Sequence, residues 1–175
     1  MRGTILVLFL IFASSCADEE KSSIRLPYID IKGFFESEIE RLTTSKTRVN
    51  KLVEQNGNSE TKKNLNVDWD DELALFVASD INKPSWRNSY KIIKNSHSII
   101  YTAVDTNLRT REIEIKQNDV QRPIYIRIKN ITRNNLYESS EELIYNIDSG
   151  YSINKNQKVR FLGKNSYKIS GSLIQ

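Results

Sequence analysis

The side chains in this chain that could do covalent chemistry are few, and their spacing decides among the uses open to them. There is one cysteine, Cys16, and one histidine, His97. A lone thiol has no partner for a disulfide or a thiolate zinc site, and as a nucleophile it needs an imidazole held beside it by a fixed scaffold. His97 stands between "IIKN" and "SIIY", at a predicted hairpin turn, with no orienting partner near it in sequence. Ser59 with Lys62 and Ser152 with Lys155 match the S-x-x-K spacing of a lysine-activated serine, but both pairs fall in predicted hairpins. Neither companion motif, S-D-N or K-T-G, is present. Four acids crowd "DWDDE" at residues 68–72, without the central glycine and distant glutamate of a calcium loop. No G-x-S-x-G elbow, H-E-x-x-H pair or phosphate-cradling glycine loop occurs. The sequence therefore predicts no enzyme, no cofactor and no metal site.

Position gives Cys16 a different use. An apolar run, Ile5 to Phe12, follows the single positive charge of Arg2, with the length and polarity of a signal-peptide core and about half the length of a membrane-spanning helix. "ASSC" then resembles the lipobox of bacterial lipoproteins, with Ala13 where leucine is commonest. The resemblance covers residues 1–20. It implies that Cys16 receives a diacylglyceryl thioether, becomes the mature N-terminus and is held in the outer membrane of a Gram-negative cell by acyl chains such as palmitate. "CADEE", with Asp18, Glu19 and Glu20, is similar to the acidic export signal that sends some lipoproteins to the cell surface. Ordinary cleavage beside Ser15 or after Ala17 is the alternative, and it leaves the cysteine unexplained. The expected organisation is a signal peptide over 1–15, a lipidated and hydrated tether over 16–27, and one globular domain over 28–175.

The domain reads as α+β. Ile31, Phe35, Ile39 and Leu42 recur at helical spacing, predicting a helix over 31–43. Two polar, partly β-branched runs flank Asn56 and Gly57 and predict a hairpin. A second helix begins at Asp68, with Trp69, Leu73, Phe76 and Val77 on one face, and Pro84 bounds it. After Arg87 short alternating runs separated by turn residues predict an antiparallel meander of about six or seven strands. Glu112 and Glu114 precede a strand carrying Arg127 and Lys129, a charge pattern that suits neighbouring strands. The expected architecture is thus two N-terminal helices with an intervening hairpin, packed on a curved meander.

Such a sheet would be about 30 Å wide and two helices would cover about 20 Å of it. Two uses of the uncovered part follow. A filled core would make the domain a non-enzymatic module binding an envelope protein or polymer. An open half-barrel groove around Ile113, Ile126 and Phe161 would make it similar to carriers of a lipid-like ligand. Trp86 and Arg87 in "KPSWRNSY" are the candidate partner-binding pair, an aromatic beside a cation. Charge is uneven: residues 16–82 carry 9 basic against 14 acidic side chains, and residues 83–175 carry 16 against 8. The basic residues are spread over several strands without a recognition motif, so the expected partners include the membrane but no nucleic acid.

Overall fold

The computed structural model describes residues 26–174. Both helices form where an apolar stripe follows a capping acid. Helix α1 (Ile31–Thr44) starts at Asp30, whose carboxylate accepts a hydrogen bond from the Gly33 amide at 2.8 Å, and it buries Ile31, Phe35 and Leu42 completely. Helix α2 (Trp69–Val77) starts at Asp68, which accepts from the Asp70 amide at 2.9 Å. Asp70, Asp71 and Glu72 fill its first turn, where negative charge meets the partial positive charge of unpaired amides.

Apart from one 3-10 turn at Pro84–Trp86, the rest of the regular structure is a single antiparallel sheet. Its strands are β1 (Arg48–Gln55), β2 (Asn58–Leu65), β3 (Tyr90–Lys94), β4 (Ser98–Ala103), β5 (Thr110–Gln117), β6 (Pro123–Arg133), β7 (Tyr137–Asn146), β8 (Gly150–Val159) and β9 (Gly163–Ile174). They lie in the order β2-β1-β9-β8-β7-β6-β5-β4-β3. This overturns the expected architecture of two helices and a hairpin packed on six or seven strands. Nine strands share one sheet, only 17% of the structure is helical, and the hairpin belongs to the sheet. The cause is β9, which pairs with β8 on one side and with β1 on the other, from Arg48 opposite Ile174 to Gln55 opposite Tyr167. Backbone donors along β1 thereby gain partners that a free-standing hairpin would leave to water.

One face of this sheet is dry. Ile113 and Ile115 of β5, Ile126 and Ile128 of β6, and Leu143 and Tyr145 of β7 are at most 1% exposed beneath the two helices. Aromatic rings lock the layers: Phe35 of α1 stands 4.9 Å from Phe76 of α2 and 5.3 Å, edge to face, from Tyr145. The antiparallel order also sorts the connections. Those joining β1–β2, β4–β5, β6–β7 and β8–β9 gather at one end of the sheet, called here the near end; β3–β4, β5–β6 and β7–β8 turn at the far end. The described chain enters at the near end, where the Tyr28 hydroxyl lies 2.8 Å from the Arg87 carbonyl and accepts the Tyr90 amide at the start of β3.

Candidate functional site

The structure does not bring the expected groove together. Ile113 and Ile126 lie in the filled core with no exposure, whereas Phe161 sits in the β8–β9 turn and is 93% exposed. The correction has a local cause. Val159 pairs with Gly163, so the turn falls on residues 160–162, and Phe161 lies outside the strand whose alternation would have turned it inward. Trp86 is half-buried against the core rim, its ring 6.4 Å from Tyr90 with the Lys83 ammonium 4.2 Å above it; Arg87 is exposed. Cys16, Asp18, Glu19 and Glu20 lie outside the described residues.

His97 is exposed in the β3–β4 turn, 3.4 Å from the carboxylate of Asp119. Ser59 and Lys62 project from opposite faces of β2, because their partners Glu54 and Lys51 are an odd number of residues apart on β1. Ser152 and Lys155 are likewise divided between the faces of β8, and Lys155 is drawn to Glu141 at 3.0 Å. Neither serine can reach its lysine. No group of three or more metal-ligating side chains occurs among the described residues.

Folding does assemble three clusters that the sequence keeps apart. In α1, Glu38 holds Arg41 at 2.7 Å and accepts the Tyr145 hydroxyl at 2.6 Å. In α2, Glu72 pairs with Lys51 at 2.5 Å and accepts the Tyr151 hydroxyl. On β7, Glu141 is held by Arg109 at 2.8 Å and by Lys155, while Arg109 also donates to the Ala78 carbonyl at the end of α2. Burial pushes the Tyr145 and Tyr151 hydroxyls up in pKa, and the adjacent carboxylates push them further. For Glu141 burial pushes upward but the two cations outweigh it, holding the carboxyl below its ordinary range. Each cluster fastens a helix to the sheet, and neutral tyrosines locked onto carboxylates are unsuited to act as nucleophiles.

The concavity with a consistent chemical lining is on the other face. Leu143, Tyr145, Tyr151 and Ile153 point inward, so the alternate residues of β7, β8 and β9 point out. They form two cross-strand rows, Ser140–Asn156–Ser166 and Glu138–Lys158–Lys164, which line a trough of about 680 Å³. Asn56, from the β1–β2 turn, closes one side: its amide donates to the Asn165 side chain at 3.2 Å and its carbonyl accepts the Ser166 amide at 2.9 Å. A hollow of about 220 Å³ continues the trough toward Lys129 and Asn154. The side chains along the trough end in amides, hydroxyls, ammonium groups and one carboxylate, Glu138. A cleft of about 900 Å³ at the end of α1 mixes Lys46 and Arg48 with Asp68 and Asp70 and presents no such rows.

Sequence reasoning passed over the trough because serine, asparagine and lysine at alternate strand positions also describe any wet sheet face. The recurrence of asparagine in "SINKNQKV" and "GKNSYK" was the available signal. No helix among the described residues is long and apolar enough to cross a membrane. No family model matches the chain, and no curated protein or solved structure matches it.

Proposed function

We propose that this chain is a lipid-anchored protein of the bacterial envelope, tethered to the outer membrane through Cys16, whose domain binds an extended polar polymer along the outward trough and catalyses no reaction. The trough is the observation that carries the binding reading. Its rows of donors and acceptors run across three strands, and two lysines stand at its rim. A linear polymer bearing hydroxyl and anionic groups meets such a surface with hydrogen bonds and charge-assisted contacts. The filled dry face favours this module over a carrier of a lipid-like ligand, because the helices occupy the space a groove would need. The lipobox-like "ASSC" supports the tether.

Calorimetric titration of the purified chain with polysaccharide fractions of the envelope tests the binding. The Lys158→Ala/Lys164→Ala pair is expected to weaken the interaction about tenfold, and Trp86→Ala to leave it unchanged. Absence of heat with every fraction overturns the trough reading. Metabolic labelling with palmitate tests the anchor separately: label is expected on the parent chain and absent from Cys16→Ala, and an unlabelled parent overturns it.

A further inference from the structure

Two turns at the near end of the sheet carry apolar side chains that nothing in the fold covers. Leu136 in the β6–β7 turn is 70% exposed, and Phe161 and Leu162 in the β8–β9 turn are 93% and 80% exposed. The turns are joined, since the Arg160 amide donates to the Leu136 carbonyl at 2.8 Å. Phe161 also has a φ of 73°, a conformation that bulky L residues rarely adopt. Water contact and backbone strain thus fall on one aromatic residue, a pairing that marks sites kept for contact with something else.

The surroundings are basic. Residues 133–138 and 158–164 hold Arg133, Lys158, Arg160 and Lys164 against one carboxylate, Glu138. The Arg160 guanidinium stands 5.3 Å from the Phe161 ring centroid. Arg133, Glu138, Lys158 and Lys164 form one cross-strand row on the outward face, with Arg133 paired to Glu138 at 2.7 Å, and the apolar turns lie beyond the end of that row. A layer of anionic headgroups over hydrocarbon has the complementary order, with charge outside and apolar depth within. The path of the chain agrees, because Tyr28 is fixed at the same end of the sheet by its bonds at Arg87 and Tyr90.

We infer that Leu136, Phe161 and Leu162 form a wedge that docks the near end of the sheet into an anionic lipid surface, with Arg160 and the adjacent row of lysines held at headgroup level. The inference deepens the tethered reading, since a tether would keep the wedge within reach of a bilayer; its test dispenses with the tether.

Cys16→Ser in the full chain removes the only thiol and with it any thioether anchor. In that background Phe161→Cys and Val120→Cys each create one labelling site, the first on the wedge and the second in the β5–β6 turn at the far end, 79% exposed. Both are labelled with an environment-sensitive nitrobenzoxadiazole fluorophore and mixed with phosphatidylglycerol–phosphatidylethanolamine vesicles. Emission at 161 is expected to rise severalfold and shift to the blue, while the label at 120 stays as in water. Phosphatidylcholine vesicles are expected to bind roughly tenfold less chain or weaker still. Leu162→Asp, in the unlabelled Cys16→Ser chain, is expected to lower sedimentation with anionic vesicles about tenfold. Lack of sedimentation, a label at 161 that responds no more than the one at 120, or unaltered binding of Leu162→Asp overturns the wedge. None of these results touches palmitate incorporation at Cys16 or polymer binding in the trough.

Discussion

Glu141 joins β7 to the end of α2 through Arg109 and Lys155, and its carboxylate matters to stability in proportion to how far those cations lower its pKa. A carboxyl held below its unfolded value of about 4.3 adds stability that is complete above that pH and lost as pH falls through the lower folded value. Glu141→Gln should therefore flatten the decline in the urea midpoint below about pH 4, and at pH 7 it should cost about 2 kcal/mol. Tyr90, Tyr145 and Tyr151 act at the other end of the scale. Burial raises the pKa of each, and Glu38 and Glu72 add to it at the latter two. Their neutral forms hold the fold below the unfolded value of about 10, and stability is lost above it as the unfolded chain ionises first. Tyr145→Phe should cost about 1–2 kcal/mol at neutral pH and remove about 1.4 kcal/mol per pH unit from the alkaline slope, read by denaturant unfolding between pH 9 and 11.

At the level of elements, turns and caps were legible in the sequence where one residue type does one job. Asp68 caps its helix, Asn56 and Gly57 take positive φ in the β1–β2 turn, and Glu112 and Glu114 face Lys129 and Arg127 across β5 and β6. Strand neighbours were not legible when their contacts are distant. β1 has apolar residues at Val49, Leu52 and Val53, which divide between both faces, and nothing in that pattern names β9 as its partner. The trough was equally hidden, because its rows exist only once β7, β8 and β9 lie in register. Gly150 depends on that register. It has a φ of 125°, and a Cβ there would lie 2.0 Å from the Gly171 carbonyl of β9. Gly150→Ala should cost about 3 kcal/mol or more by urea unfolding. Gly57→Ala, also at positive φ but with nothing within 4 Å, should cost about 1 kcal/mol, which separates backbone strain from collision.

Across the whole molecule, the two helices lie on one face of an open sheet whose outward side carries the trough and whose near end carries the wedge. Both free edges are guarded by charge, with Lys62 and Lys63 on β2 and Lys91 and Lys94 flanking Ile92 and Ile93 on β3. The middle is where the chain is vulnerable. Deleting residues 163–174 would strip β1 and β8 of their shared neighbour, and the truncated protein is expected to show no cooperative thermal transition by circular dichroism, whereas an independent β3–β8 unit would retain one. The same arrangement has a consequence in time. The strand that completes the sheet, β9, begins only at Gly163, while its partner β1 begins at Arg48. During synthesis β1 must wait, unpaired on that side, for a segment not yet translated. Until β9 emerges, that edge of β1 keeps its backbone groups open to chaperones and to wrong partners.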